Sequence, residues 1–504
     1  MSEEIRTHAL VVGSGFAGLG MAIAMKQAGM DDFLILEAAE GVGGTWRDNH
    51  YPGAACDVES HLYSFSFRPK ADWSRMYAPQ REILGYLEEC VDAYGLGPHL
   101  HFGRRACGAR YDARARRWKV ETEDGTHYSA AVLISGTGGL SRPAYPDIAG
   151  LDSFGGATFH SARWSDDVDL RHKRVGVIGT GASAIQIVPE IASDVRELTV
   201  FQRSAPWIVA RPDRAIGKVE QALFRRMPAL QLLARKAIYL RRELLALGFV
   251  VDPRLLKVAE RMAAAYLAKC VPDLELRRKL TPDYRLGCKR VLLSNDYYQS
   301  LQRPNVQLET EAIERIEPRG VVTRDGRLHD LDVLVLATGF AAAEAVAPFP
   351  VRGVDGSELD ALWQDGAEAY LGTTVARFPN LFTIVGPNTG LGHSSMVFMI
   401  ESQIAYILDC LRQMRRHEIA AVTLRPEIQR AYNRDLAARL ERTVWASGCR
   451  SWYRTASGKN TTLWPGFTFE FWWRTRHFDL GDYELEFDAA RDERPETRRV
   501  SLAN

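Results

Sequence analysis

The most regular pattern of hydrophobic positions in the chain is a short apolar run that ends in a glycine-rich turn, and it occurs twice. Residues 8–12 lead into the sequence GSGFAG, and residues 174–178 lead into GTGASA. Each turn is followed by a helical stretch and then by another apolar run, FLILE or ELTVFQR. This order predicts two strand–helix–strand units, and therefore an α/β fold with two Rossmann-type dinucleotide-binding domains.

The pattern changes between Arg211 and about Tyr284, where Leu, Ala, Arg and Lys dominate and apolar residues recur at helical spacing. We interpret this stretch as a helical insertion in the second nucleotide domain. A basic amphipathic region can contact a membrane surface. We favour the alternative, in which the helices pack over the site and turn basic faces to solvent.

These patterns divide the chain into three units. The first nucleotide domain is expected to comprise residues 1–145 and 341–504, and the second residues 146–210 and 286–340. The helical insertion occupies residues 211–285.

Composition and charge exclude several classes of function. The 504 residues include 64 basic and 63 acidic side chains, and a net charge of +1 provides no general attraction for nucleic acid. The apolar run at residues 244–251 is far shorter than the ~18 residues of a membrane-spanning helix. The first residues, MSEEIRTHALVV, lack the basic segment of a secretion signal. We therefore expect a soluble protein without a nucleic-acid partner or integral membrane association.

The seven cysteines are scattered singly and form no C-x-x-C pair. The sequence therefore predicts neither a metal site nor a dithiol redox centre. An odd, dispersed set is typical of free thiols in a reducing cytoplasm, which is the location we expect.

The first glycine turn has the features of a dinucleotide site. Gly13 permits a tight turn, Gly15 lets a pyrophosphate approach the backbone, and Gly18 lets helix and strand pack closely. Glu37 ends the next strand, where a carboxylate can accept hydrogen bonds from ribose hydroxyls. An ordinary turn and a solvated strand end are the alternative explanations, but the shared register favours a bound dinucleotide.

The second turn repeats this pattern with Gly179, Gly181 and Ala184, and Ser183 stands beside them. No acid follows the next strand, where Arg203 and Ser204 stand instead. A guanidinium and a hydroxyl can bind a ribose 2′-phosphate that a carboxylate would repel. The second site is therefore predicted to prefer NADPH to NADH, unless Arg203 is only a surface charge.

A stretch between the two turns carries a family resemblance. Phe154, Gly156, His160 and Trp164 match the fingerprint F-x-G-x-x-x-H-x-x-x-W, which the family follows with Pro or Asp where Ser165 stands here. The chain resembles the class B flavoprotein monooxygenases, and within them the type I Baeyer–Villiger monooxygenases. Related heteroatom-oxidising enzymes usually have Tyr or Phe in place of the tryptophan.

Other motifs extend the resemblance through nearly the whole chain. GGTW at 43–46 and YPGAACD at 51–57 resemble the family's flavin-side loop, although Ala55 stands where the family usually has Arg. GCKR at 287–290 resembles a segment with two functional cations. The resemblance implies FAD contacts in the first domain and NADP contacts in the second, through Thr45, Trp46, Asp57, Tyr63, Lys289, Met396 and Trp452.

The resemblance also implies an activity. The expected enzyme uses NADPH and O₂, forms a C4a-peroxyflavin on FAD, and converts ketones to esters or lactones, with sulfoxidation as a second reaction. Arg290 would stabilise anionic oxygen, since a guanidinium stays charged, and Asp57 would orient Arg290. Taken alone, Asp57 could be a turn residue, Arg290 a surface cation and Met396 a core residue.

Three other functions compete with this interpretation. A heteroatom hydroxylase of the same fold would oxidise amines or sulfur. A flavin-dependent disulfide reductase would need a C-x-x-C pair, which is missing. A non-catalytic nucleotide-binding protein would have no need of Asp57, Lys289 and Arg290 together.

Overall fold

The computed structural model describes residues 4–341, 348–449, 451, 453–455 and 457–487. In chain order the strands are β1 (Ile5–Val12), β2 (Phe33–Leu36), β3 (Leu100–His101), β4 (Ala106–Asp112), β5 (Arg117–Thr122), β6 (His127–Ser135), β7 (Ala157–His160), β8 (Arg174–Ile178), β9 (Glu197–Phe201), β10 (Ile208–Val209), β11 (Leu292–Leu293), β12 (Val306–Glu309), β13 (Ile313–Glu317), β14 (Gly320–Thr323), β15 (Leu328–Asp330), β16 (Val333–Leu336), β17 (Val351–Arg352), β18 (Leu381–Thr383), β19 (Ile419–Leu424) and β20 (Tyr483–Phe487).

The α-helices are α1 (Phe16–Gln27), α2 (Thr45–Asp48), α3 (Gln80–Ala93), α4 (Ala184–Ile191), α5 (Lys218–Arg226), α6 (Pro228–Ala246), α7 (Leu256–Cys270), α8 (Leu274–Lys279), α9 (Tyr297–Ser300), α10 (Leu359–Leu362), α11 (Met396–His417), α12 (Pro426–Leu440) and α13 (Thr468–Thr475).

The first glycine turn belongs to an eight-stranded sheet with the order β17-β4-β5-β6-β1-β2-β3, in which β18 also pairs with β6. Strand β1 lies between β2 and β6 and is parallel to both. Strands β4 and β5 are antiparallel. Because β17 and β18 come from the C-terminal part, the chain returns to this sheet after leaving it.

The second glycine turn belongs to a separate five-stranded sheet with the order β12-β9-β8-β16-β7. All its pairs are parallel. Parallel strands covered by helices on both faces are almost continuously apolar, as in the buried RVGVI and VLVL segments. The predicted α/β class with Rossmann-type domains is confirmed. The domain boundaries at 145, 210, 285 and 340 stay a prediction.

The junction between the two sheets is packed around His160, at the end of β7. Its ring centroid lies 5.6 Å from that of Tyr145 and 5.8 Å from that of Phe340, which lie on the two segments that connect the sheets. The His160 Nδ1 accepts a hydrogen bond from the Ala162 N–H at 3.1 Å. Burial lowers the pKa of His160 to about 4, so the imidazole is neutral at ordinary pH. This packing supports a bracing role for the histidine.

The insertion is helical, as predicted, but helix α6 does not have the orientation that we favoured. Its buried residues are Gln231, Glu243 and Ala246, whereas most of its leucines are exposed. The inward face is polar because it hydrogen-bonds to backbone carbonyls of residues 57–70. Gln231 donates to the Lys70 carbonyl at 2.7 Å, and Arg235 donates to the His61 carbonyl at 2.6 Å.

Within the described part of the chain, no helix combines the length and the apolar composition needed to cross a bilayer.

The cysteine interpretation is wrong at two positions, because Cys288 and Cys449 form a disulfide. They are 161 residues apart in sequence, yet their Cα atoms lie 6.2 Å apart because the tertiary fold brings the two segments together. The other five cysteines are free thiols. Since disulfides are uncommon in a reducing cytoplasm, the cysteines no longer support that location.

We expect reduction of the disulfide to destabilise the protein, because cross-linking a loop of 161 residues stabilises the folded state by about 5 kcal/mol in the chain-entropy model. Calorimetry with and without a dithiol reductant should show a Tm lower by several degrees in the reduced protein. The Cys288→Ser/Cys449→Ser variant should have the lower Tm, and the reductant should not change that Tm. Seven titratable thiols in denatured, unreduced wild-type protein would contradict the pairing.

Candidate active site

The first glycine turn has the close packing that its sequence predicts. Gly13 has a φ of +100°, and a Cβ there would lie 2.7 Å from the Gly136 carbonyl oxygen. A Cβ on Gly18 would lie 1.8 Å from the Gly13 carbonyl oxygen, so only glycine lets helix α1 pack this closely against the turn. Gly15 caps α1 and lines a cavity. The backbone can therefore approach a ligand closely at this turn.

Glu37 lies beside this turn, at the end of β2, and is buried. Its Oε2 accepts hydrogen bonds from the Ser14 N–H at 3.0 Å and the Ser14 hydroxyl at 2.6 Å. Its Oε1 lies 3.0 Å from the Arg47 guanidinium, an ion pair that the sequence did not reveal. These contacts hold the carboxylate on the cavity wall, where the sequence placed a ribose acceptor.

The GGTW segment packs directly against the first glycine turn. A Cβ on Gly44 would lie 3.2 Å from the Gly15 Cα, so the two backbones nearly touch. Thr45 and Trp46 follow on α2, and the Trp46 indole N–H donates to the Tyr63 hydroxyl at 3.1 Å. Thr45, Trp46 and Tyr63 all line the cavity.

The second glycine turn opens into the same cavity. Gly179 has a φ of +113°, and a Cβ there would lie 2.4 Å from the Ala337 carbonyl oxygen. Gly181 and Ser183 line the cavity. Ala184 is fully buried in the core of the second sheet, so it permits close packing and has no access to the cavity.

A cluster of polar and cationic groups stands next to the second turn. The Lys289 ammonium donates to the Ser204 hydroxyl at 3.0 Å and lies 4.3 Å from the ring centroid of Tyr284. Burial and the neighbouring Arg203 guanidinium lower the pKa of Lys289, against the opposing effect of Asp283. Arg203 is exposed and lines the cavity. The arrangement suits an anionic group, because an ammonium and a hydroxyl are in contact and a guanidinium acts on the ammonium electrostatically.

Asp57 and Arg290 form an ion pair on the cavity wall. The Arg290 Nε and one terminal nitrogen donate to the Asp57 Oδ2 at 2.9 and 2.6 Å. Burial by itself raises the pKa of Asp57, but the charge and hydrogen bonds of Arg290, with a smaller contribution from Arg242, lower it below the ordinary value. Asp57 in turn raises the pKa of Arg290. Side-chain exposures of 29% and 35% leave both groups accessible from the cavity.

Sequence reasoning missed the residues that hold Asp57 in place. The Arg242 guanidinium donates to the Asp57 backbone carbonyl at 3.0 Å, and its Nε donates to Glu59 at 2.8 Å. Glu59 is 1% exposed and also accepts from Arg241 and from the Tyr77 hydroxyl. A buried carboxylate needs such partners. The only sequence signal for this contact was the pair of adjacent arginines on α6. Such a signal is weak, because charged residues on helices usually face solvent.

The flavin-side loop is joined to helix α4 of the second sheet. The Tyr51 hydroxyl donates to the Gln186 side-chain oxygen, and the Gln186 amide donates to the Ala55 carbonyl, both at 3.0 Å. A Cβ on Gly53 would lie 2.7 Å from the Gln186 carbonyl oxygen, which requires glycine in this loop. The loop that carries Asp57 is therefore positioned by both sheets.

Two further predicted residues have different outcomes. Met396 begins α11, lines the cavity and packs against the hydrophobic core of the first sheet, and its contact with a cofactor stays a prediction. Trp452 lies outside the described residues. Its neighbour Tyr453 is buried, and burial raises the pKa of that phenol to about 12.

The cavity that both glycine turns line has a volume of about 2110 Å³. Pockets for single small molecules measure roughly 300–1,000 Å³. The space therefore suits two dinucleotides and a substrate, with the Asp57–Arg290 pair exposed on its wall.

Comparisons with known proteins agree with this geometry. A family model described as pyridine nucleotide-disulphide oxidoreductase matches residues 10–227. A Baeyer–Villiger monooxygenase of Pseudomonas aeruginosa is 49% identical over 477 residues, which cover 94% of this chain and 90% of the relative. A second one, from Streptomyces coelicolor, is 47% identical over 487 residues, covering 96% and 94%. The chain belongs to the Baeyer–Villiger monooxygenase family. The predicted family is confirmed.

Solved structures extend the likeness to the tertiary fold. A cyclohexanone monooxygenase from Rhodococcus sp. Phi1 bound to NADP⁺ superposes with a TM-score of 0.85 at 30% identity, covering 96% of this chain and 100% of that one. An OTEMO complex with FAD and NADP gives a TM-score of 0.88 at 30% identity, with the same coverage.

The match to the disulphide oxidoreductase model concerns residues 10–227, which include both glycine turns. The segment contains no C-x-x-C pair, and the Cys288–Cys449 disulfide lies outside it. The likeness therefore concerns nucleotide-binding architecture and gives no support to dithiol chemistry.

We expect Arg242→Gln to lower monooxygenase turnover about tenfold, because a charged hydrogen bond that positions Asp57 contributes ~1.5–3 kcal/mol. Arg241→Gln is the matched control, since Arg241 is 58% exposed and contacts Glu59 but not the Asp57 carbonyl. It should keep most of the turnover. Steady-state kinetics compare the turnover of the two variants, and thermal melts check that both are folded. Equal losses in the two variants would show that Arg242 has no special role.

Proposed function

We propose that this chain is an NADPH- and O₂-dependent Baeyer–Villiger monooxygenase that converts ketones to esters or lactones and also oxidises sulfides. FAD would bind at the first glycine turn and NADPH at the second. The observation that carries the proposal is the Asp57–Arg290 pair, which stands on the wall of one cavity lined by both turns. The family of the relatives supports this reaction over the heteroatom hydroxylase.

The residues at the first turn fit FAD. Gly13, Gly15 and Gly44 leave no side chain between the backbone and a pyrophosphate, and the first helix directs its N-terminal N–H groups to the same place. Glu37 stands where ribose hydroxyls can donate to it, while Ser14 and Arg47 keep its carboxylate in place. Solved relatives of this fold contain FAD, which supports the assignment.

The residues at the second turn fit NADPH. Lys289, Ser204 and Arg203 offer an ammonium, a hydroxyl and a guanidinium, which are the groups that bind a 2′-phosphate. No carboxylate follows β9 at residues 202–204, so nothing there repels the phosphate. Neighbours solved with NADP bound support the same cofactor.

When bound, NADPH supplies hydride and FAD supplies the activation of dioxygen. Arg290 provides a permanent positive charge at the cavity wall, which would stabilise negative charge on a reacting oxygen beside it. Asp57 orients the guanidinium and limits its movement. Arg242 and Glu59 fix the Asp57 backbone, so the charge is in place before substrate arrives.

We further propose a small-molecule ketone or sulfide and O₂ as the reactants, with no nucleic-acid partner. The near-zero net charge supports this choice. A cytoplasmic location stays a prediction.

We expect Arg290→Ala to accept hydride from NADPH into the flavin but to make no ester, because the anionic oxygen loses its counter-charge. Single-turnover flavin bleaching, ¹⁸O₂ incorporation and hydrogen peroxide release measure the three processes separately. Arg105→Ala is the control, since Arg105 is a cavity-lining cation that is 56% exposed and paired with Glu123. Normal ester formation by Arg290→Ala would rule out the assigned role.

We expect Arg203→Ala and Lys289→Ala each to raise the KM for NADPH about tenfold while leaving that for NADH nearly unchanged, because a charged hydrogen bond to the 2′-phosphate contributes ~1.5–3 kcal/mol. Arg196→Ala is the control on the same domain, since the Arg196 side chain is 68% exposed and pairs with its neighbour Glu197. An unchanged ratio of kcat/KM for the two nucleotides would contradict the phosphate site.

A further inference from the structure

Helix α6 presents an apolar stripe to solvent. Leu233, Leu240 and Leu244 on α6 and Leu247 directly after it follow one another at helical spacing, so their side chains share one face. They are 37–66% exposed. The opposite face carries the polar groups that bind the 57–70 backbone. Helix amphipathicity is thus reversed relative to an ordinary surface helix, which buries its apolar side.

The neighbouring helices of the insertion repeat this arrangement. On α7 and the residue before it, Leu255, Val258 and Met262 are exposed at spacings of three and four residues. Val219 and Leu223 are exposed on α5. Helices α5 and α6 pack against each other, and large exposed apolar patches on soluble proteins mark interaction sites.

Helix α13 adds exposed aromatic rings next to α6. The Thr468 N–H and hydroxyl donate to Glu243 of α6 at 3.0 and 2.7 Å, which fixes the start of α13 on α6. Phe469, Trp472 and Trp473 are nevertheless 45–59% exposed. The guanidinium carbon of Arg476 lies 3.6 Å from the ring centroid of Trp473. Exposed tryptophan beside arginine is typical of the boundary between lipid tails and headgroups.

The charge of this region is strongly positive. Residues 218–262 contain ten basic and four acidic side chains, although the whole chain has a net charge of +1. Each acid has a contact within the protein. The contacts are Glu220 with Arg214, Glu243 with Thr468, Asp252 with the Arg254 N–H, and Glu260 with the Leu286 N–H. Four of the basic residues are also ion-paired, because Arg225, Arg241 and Arg242 contact acids of residues 59–72 and Arg235 contacts Glu401. The others have no ion pair among the described residues; they are Lys218, Arg226, Lys236, Arg254, Lys257 and Arg261. The unpaired charge of this stretch is therefore basic, which complements an anionic partner.

We propose that the exposed faces of α5, α6, α7 and α13, here called the insertion surface, dock onto an anionic lipid bilayer. The leucine stripes and aromatic rings enter the headgroup boundary, and the surrounding lysines and arginines contact anionic headgroups. A second copy of this chain fits the surface less well, because a symmetric contact would bring two basic faces together.

The proposal is independent of the oxygenation chemistry. None of the described side chains at residues 218–262 or 468–476 lines the cavity. Changes on the insertion surface can therefore be tested for lipid binding while turnover of a water-soluble ketone serves as a measure of intact structure.

Sedimentation of the purified holoenzyme with lipid vesicles tests the proposal. We expect binding to vesicles of phosphatidylcholine and phosphatidylglycerol in equal amounts, weak binding to phosphatidylcholine alone, and loss of binding at high salt. Leu240→Ser/Leu244→Ser should weaken binding at least tenfold. Arg226→Glu/Lys236→Glu should do the same, since one cation near such a surface contributes about fivefold.

Leu362→Ser is the matched control, because Leu362 is 47% exposed on α10, which packs against the edge strand β17 of the first sheet. It should bind vesicles like the wild type, and all variants should keep their turnover. Absence of wild-type binding to the mixed vesicles, or unchanged binding in both double variants, would overturn the proposal. The surface would instead belong to a second copy of the chain if light scattering showed a wild-type dimer that does not bind vesicles. In that case Leu240→Ser/Leu244→Ser would convert the dimer to monomers.

Discussion

The ion pair between Asp57 and Arg290 is the constraint on which the site depends. It joins two distant parts of the chain, one following the first sheet's glycine turn and one preceding β11. Each charge has the other as its partner, while side-chain exposures of 29% and 35% leave both open to the cavity. The pair forms because the two segments meet at this point, and the cavity lies where they meet.

The helical insertion has a second role that follows from this constraint. Arg242 and Glu59 hold the backbone at Asp57, and Gln231 and Arg235 bind carbonyls further along the same segment. Because the polar side chains of α6 face inward to make these contacts, its apolar residues face solvent. The same helix thus stabilises the site and creates the exposed hydrophobic surface.

Much of the fold and of the cofactor sites could be predicted from the sequence, because their signals are local. Gly13 and Gly179 need positive φ, and Glu37 ends the second strand of its unit at the expected spacing. Such features depend on residues within one strand–helix–strand unit. The identity of Asp57 and Arg290 came from resemblance, since nothing local distinguishes a turn aspartate or a surface arginine from a functional one.

By itself, the sequence determined two nucleotide-binding units, their glycine turns and the helical character of the insertion. Only the tertiary structure decided that Cys288 pairs with Cys449, that Glu59 anchors Arg242, and that α6 turns its leucines outward. Each of these depends on segments far apart in the chain coming within a few ångströms. Periodicity reports which face of a helix is apolar, but which face lies inward is decided by the partner that it meets.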